Sequence, residues 1–281
     1  MKRTTIAAVA CLLLAAGARA SCQQEALAVR SSVDWEARVL RLRIELDVAK
    51  AGIRLPAGRL EAERLVEREL GSLAKEAVYA LAVDARRSVG DTIADGSLDV
   101  NGLIDLESRA ERGDASFTRD LRSFVAEYAI YLGSVAGLYP GGSEAVPLPA
   151  PMGYSPSRAY TGILIYAQGE LPVRGERVSA PLRPCLFPRI YDEGMRTILD
   201  RDRVDPAVLV GDGPLGYARA VTSAAEGRVG DDPLRIMAKA VFGVNRTDLV
   251  LSVEDADRIL SRPENRDLVR RGHVLVVLDL P

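Results

Sequence analysis

The chain has 281 residues, of which 48% are hydrophobic, 27% charged and 5% aromatic, with 24 Gly, 15 Pro, 3 Cys, a single His and a formal net charge of −2. This is a globular composition, with enough apolar content for a core in one large or two modest domains. It excludes collagen, low-complexity disorder and a disulfide-dense miniprotein, and one His with few Cys removes the usual residues of several metal and nucleophile mechanisms.

Residues 1–20 read as an export signal. Lys2 and Arg3 form a basic start, Ile6 to Ala16 is an apolar run, and Ala18-Arg19-Ala20 is a small-x-small cleavage site, which predicts Ser21 as the mature N-terminus. The apolar run is too short to cross a bilayer core of about 30 Å. Cys22 leaves an outer-membrane lipoprotein open as the alternative. Arg19, three places before it, is a poor occupant of a lipidation motif, so a soluble periplasmic or otherwise exported protein is expected. Cleavage lowers the basic count from 37 to 34 against 39 acidic residues. A mature net charge of about −5 argues against nucleic acid, and a membrane enters only if Cys22 is lipidated. Cys11 leaves with the leader; Cys185 is expected to be buried and Cys22 unpaired.

Along the mature chain, residues 39–49 alternate: Leu40, Leu42, Ile44, Leu46 and Val48 share one face, and Arg41, Arg43, Glu45 and Asp47 the other. Period two predicts a long strand with one side buried and one wet. Residues 58–79 switch to helical spacing, with Leu60, Leu65, Val66, Leu70, Leu73, Ala74, Ala77 and Val78 forming an apolar stripe. Short elements are expected next: a strand at Ala80–Val83, helices at Asn101–Glu111 and Ser116–Ser123, and a strand at Glu127–Leu132. Pro140 to Pro156, with five Pro and three Gly, reads as a linker or long loop. Strands are predicted after it at Tyr160–Tyr166, Pro184–Tyr191, Val208–Val210, Leu234–Phe242 and Asp248–Leu251. Ser252 caps a helix to Leu260, Glu264–Arg271 forms another that Gly272 ends, and His273–Leu278 is a closing apolar strand. Strands and helices without strict alternation indicate an α+β fold. The expected domains are an N-terminal α+β domain at 21–139 and a C-terminal one at 157–281, joined by 140–156.

No residue is assigned on sequence to catalysis, to a cofactor or to a metal. Gly211-Asp212-Gly213-Pro214-Leu215-Gly216 matches the glycine pattern of dinucleotide loops, but no acidic residue is placed to bind a ribose, so a Gly/Pro loop is the expected reading. His273 is expected to be structural or at the surface. Asp192 and Glu193, Asp200 and Asp202, and Asp231 and Asp232 sit near turns, where solvated carboxylates are the default.

Four stretches carry a resemblance: Tyr160 to Ala167, Pro184 to Glu193, Arg228 to Ile236, and Asp248 to Ala256. Their order is similar to uncharacterised exported envelope proteins of spirochaete type, and more loosely to flagellum-associated envelope proteins. The resemblance implies no catalytic residues. Two functions remain open. The first is a non-catalytic envelope protein acting through protein–protein contacts in a flagellum-associated or envelope assembly, with the wet face of strand 39–49 as one surface for a partner. The second is an exported hydrolase or small-ligand-binding enzyme whose acids converge only in the fold, in a cleft lined by Arg189, Asp192, Glu193 and Asp200.

Overall fold

The computed structural model describes residues 26–55, 58–99, 101–104, 109–152, 154, 156–222 and 227–280. The leader and Cys22 lie outside the described residues. The fold is α+β, with helices and several sheets in one chain. The chain divides into two compact units. One comprises Met1–Ser32, Leu40–Ala77 and Glu107–Ile130, and the other Val33–Val39, Val78–Leu106 and Tyr131–Pro281.

The first unit is built on an antiparallel-type sheet in the order β1-β2-β4-β3, from β1 (Leu27–Asp34), β2 (Val39–Asp47), β3 (Glu111–Phe117) and β4 (Ser123–Tyr131). Strand β2 realises the alternation of its sequence. Leu40, Leu42, Ile44 and Leu46 are buried, while Arg41 and Arg43 are exposed. Helix α1 (Arg59–Tyr79) buries Ala62, Leu65, Val66, Leu70 and Ala74. Arg112 on β3 bridges to Glu63 (3.0 Å) and Glu67 (2.9 Å) of that helix. The stretch Ser116–Ser123 is not a helix; it is the β3–β4 hairpin. The Thr118 N–H donates to the Ser123 carbonyl and the Leu121 N–H to that of Thr118, and Leu121 adopts φ +57, which turns the chain back.

The second unit holds a parallel sheet in the order β10-β14-β5-β11, from β5 (Ile163–Tyr166), β10 (Gly216–Ala218), β11 (Leu234–Met237) and β14 (Val274–Val277). Ile163, Leu164 and Ile165 are all buried, as are Val274 to Val277. Uninterrupted apolar runs belong in parallel strands covered on both faces. A mixed sheet, β12-β13-β8-β9, combines β8 (Ile190–Asp192), β9 (Thr197–Leu199), β12 (Ala240–Phe242) and β13 (Asp248–Leu251). A two-stranded ribbon, β6 (Glu170–Pro172) with β7 (Ser179–Pro181), adjoins β12 through an isolated bridge between Val173 and Val241.

The helices of this unit include α2 (Val89–Ala94), α3 (Asn101–Ile104), α4 (Leu132–Ala136), α5 (Pro206–Gly211), α6 (Val253–Leu260) and α7 (Pro263–Arg270). Ser252 caps α6 as expected, its hydroxyl accepting the Asp255 N–H at 3.1 Å. Val208–Val210 is helical rather than extended. Asp205 and Pro206 open α5, and proline at the first helical position supplies the φ a helix needs. A Cβ at Gly133 of α4 would overlap the Val210 carbonyl, so glycine lets α4 and α5 touch backbone to backbone.

Four other expectations are corrected. Ala80–Val83 contributes one isolated bridge, Ala82 to Ser88, because Asp84 folds the following chain by accepting the N–H groups of Arg86 and Arg87. The helix at Asn101 is described only to Ile104, and Glu111 already belongs to β3. Within Pro184–Tyr191 the strand starts at Ile190. Leu234–Phe242 is two strands in two sheets. Residues 140–152 contain no helix or strand. Just after this stretch the chain is anchored by buried Asn265. Its Nδ2 donates to Ser157 Oγ and to the carbonyls of Arg158 and Arg258, and its Oδ1 accepts the Tyr160 N–H.

Candidate functional site

The alternating pattern of β2 leaves the outer face of the first unit's sheet charged. Arg41 and Arg43 project from β2, Arg30 and Ser32 lie on β1, and Glu127 lies on β4. A β-bulge breaks the β3–β4 register between Arg112 and Ala115, beside Gly113. Between these strands runs a groove of about 320 Å³, lined by Arg30, Ser32, Arg41, Arg43, Gly113 and Glu127 among others. Arg43 Nη1 contacts Glu127 Oε1 at 2.6 Å, with both side chains about half exposed. Three guanidinium groups thus share the groove's lining with one carboxylate. Strand β1 forms the sheet's edge, its burial irregular and its middle exposed. An unpaired edge offers backbone donors and acceptors to an added strand.

The acids that a hydrolase would use are distributed differently from the expected cleft. Asp192 is 3% exposed and faces inward. Its Oδ1 accepts the Arg196 N–H (2.8 Å) and its Oδ2 accepts Arg196 Nε (2.9 Å), while Arg196 Nη2 continues to Asp257 (2.6 Å). Its neighbour Glu193 is exposed and its Oε2 lies 3.4 Å from the Val253 N–H at the start of α6. Asp200 meets Arg203 at 3.4 Å, and its Oδ1 is buried without a partner. Asp202 pairs loosely with Arg201 (3.5 Å). Asp231 is exposed, and Asp232 is ion-paired with Arg158, whose charge and hydrogen bonds hold its carboxyl below the usual range. A carboxylate held through both oxygens by a guanidinium and a backbone N–H is poorly placed to take a proton from a substrate.

The second unit has its own cleft, of about 160 Å³, between the turn at Tyr139–Gly142 and α5. Glu144, Arg201 and Asp202 supply its charge and Leu209 and Val210 part of its apolar wall. Arg201 donates to the Pro140 carbonyl (3.2 Å) and its guanidinium sits 5.8 Å from the Phe187 ring centre. Arg189, Asp192, Glu193 and Asp200 do not line it.

Within the mixed sheet, at the first residue of β13, lies a buried polar group that sequence reading missed. Asp248 is 2% exposed, and its Oδ1 accepts the Arg189 N–H at 3.1 Å. Burial drives its carboxyl up to about 6, against the opposing pull of that hydrogen bond and of the Arg189 charge. Cys185 is buried and free, as expected, and burial pushes its thiol well up. The Tyr217 hydroxyl accepts the Cys185 N–H (3.2 Å) and donates to its carbonyl (3.3 Å). A neutral buried thiol is not a nucleophile. His273 is half-buried, with its backbone tied to Leu268 and Ile163. The order around Gly211–Gly216 is helix, loop, strand, the reverse of a dinucleotide loop. Among the described residues no group of three or more His, Cys, Asp or Glu could hold a metal, and no helix is long and apolar enough to cross a membrane.

Comparison with curated proteins found no match. Family models do match. Residues 26–138 fit the N-terminal domain of Treponema pallidum Tp0624 and residues 162–280 fit its second domain. The two matches follow in the same order and between them take in most of the chain, which accordingly belongs to the uncharacterised spirochaete family of Tp0624.

Proposed function

We propose that the protein is exported to the cell envelope and works there by protein–protein contact rather than turnover, with its partner among envelope or flagellum-associated proteins. The groove on the outer face of the first unit's sheet is the contact surface, and its occupant is an extended acidic segment of the partner. The observation that carries this reading is the local reversal of charge. Arg30, Arg41 and Arg43 against Glu127 give the groove a positive balance on a chain whose overall charge is negative. Edge strand β1 beside it offers the backbone pairing that an extended segment needs. The pairing of Asp192 and Asp232 with arginines supports contact over catalysis. The leader-like residues 1–20 support export.

A photo-crosslinking residue at Ser32, in the groove, tests the surface against one at Leu60, which is 56% exposed on α1 of the same unit. Adducts of one discrete size from position 32 only, lost in Arg41→Glu/Arg43→Glu, are expected. Equal adducts from both positions, or adducts that survive the charge reversal, refute the surface. Recovery of the unprocessed chain from the cytosol refutes export, and mass spectrometry of the N-terminal peptide reports cleavage and any lipid on Cys22 together.

A further inference from the structure

The glycine-rich loop after α5 is the meeting point of two arginines. Arg228 donates from Nε to the Gly272 carbonyl (2.8 Å), from Nη1 to the Asp212 carbonyl (2.9 Å) and from Nη2 to the Gly213 carbonyl (2.8 Å). Arg38 reaches the same loop from the turn after β1. Its guanidinium lies so close over the Gly213 Cα that a Cβ there would overlap Nη1. Glycine, at φ +74, is what lets it approach.

The two side chains differ in what they do for the fold. Arg228 staples three carbonyls, which is a sufficient structural reason for it. Arg38 has no such reason. Its Nε is buried and meets no acceptor. Its backbone sits at φ +56, where a non-glycine residue is strained. A second guanidinium, that of Arg228, meets the same Gly213, and the Arg38 charge acts on it. Burial, aided by that charge, brings Arg228 down to about 10. Asp212 attracts both, yet among the described residues neither arginine has an acid within ion-pair distance. Two half-buried cations side by side, one of them unbonded, form an arrangement that an anion would complete.

We propose that Arg38 and Arg228 form an oxyanion site whose ligand is a phosphate group, free or carried by an ester. A guanidinium has five N–H donors, and Arg228 uses three on the backbone, leaving one on each Nη. Arg38 brings its own unbonded fork. Together they present donors from two directions to a tetrahedral acceptor, and its negative charge neutralises the pair. The bare Cα of Gly213 is what gives the Arg38 guanidinium its place beside the Gly213 carbonyl that Arg228 holds. This site is in the second unit and is independent of the groove on the first.

The test titrates inorganic phosphate into the full-length chain, with chloride balancing the ionic strength, and follows the melting temperature and the heat of binding. A saturable response is expected in the wild type. Arg38→Gln removes no hydrogen bond and relieves an uncompensated buried charge, so the variant melts in chloride at or above the wild-type temperature. It weakens phosphate binding roughly tenfold or more, the loss of one charge-assisted hydrogen bond. Vesicles of phosphatidylglycerol against phosphatidylcholine distinguish the source. Arg38-dependent sedimentation with the former assigns a lipid headgroup, and its absence alongside phosphate binding assigns a soluble phosphate. A response that follows ionic strength alone, or one that Arg38→Gln retains in full, overturns the proposal.

Discussion

Asp248 makes the stability of this protein depend on pH in a direction opposite to most carboxylates. The side chain is 2% exposed, and burial drives its carboxyl from an ordinary 3.8 up to about 6. The Arg189 N–H, the Arg189 guanidinium and the Thr247 hydroxyl favour the ion, and Asp84 disfavours it, but burial outweighs them. The folded protein therefore holds this proton more tightly than the unfolded chain does. The group's contribution is fully present below pH 3.8 and is lost as pH rises through about 6. At 1.36 kcal/mol per pH unit, the gap corresponds to about 3 kcal/mol. Asp248→Asn keeps an oxygen for the Arg189 N–H and cannot ionise. Urea unfolding of both proteins at several pH values isolates the effect. The variant should gain on the wild type by about 2.4 kcal/mol between pH 4 and pH 8. A difference that stays constant across that range, or one that moves against the variant as pH rises, refutes the reasoning.

Three further outcomes follow from the packing. Arg196→Ala strands the inward-facing Asp192 and loosens Asp257, and should cost about 3 kcal/mol in denaturant unfolding, where a loss well under 1 kcal/mol would show that Asp192 finds another partner. Gly213→Ala combines a left-handed backbone with a clash against Arg38 and should lower stability by about 1–3 kcal/mol, read as a drop in melting temperature. Peptide-resolved labelling with a maleimide should leave Cys185 unmodified in the native protein and modify it only after unfolding; rapid native labelling would show that the thiol is reachable.

The elements that could be read from sequence are those whose physics is local. Strand β2 shows its alternation because one face is dry and the other wet, and α6 shows its start because Ser252 bonds three residues ahead. Strand β1 escaped because an edge strand with an exposed middle has no alternation to show. Val208–Val210 looked extended because valine favours strands, and the stronger signal was the Asp205-Pro206 pair that opens a helix. The Thr118 and Leu121 turn hid a hairpin inside a stretch that looked helical. Chemistry was less legible than fold. Asp192 and Glu193 are adjacent in sequence, yet one is buried and the other exposed. Arg38 and Gly213 lie far apart in the chain and meet only in the fold, so nothing near either residue announces the pairing. Asp248 resembles any acid at a strand end until its neighbours enclose it.

The split of Leu234–Phe242 has a mechanical consequence. Ala238 and Lys239 are consecutive, but the Ala238 N–H donates to Tyr166 at the end of β5, and the Lys239 N–H donates to Val250 in β13. Two consecutive peptide units thus rivet two sheets that share no ladder. Fraying in either one pulls on the other across a few ångströms of covalent chain. Amide protons in β5 and β13 should therefore exchange together at one slow rate, as members of one cooperative block.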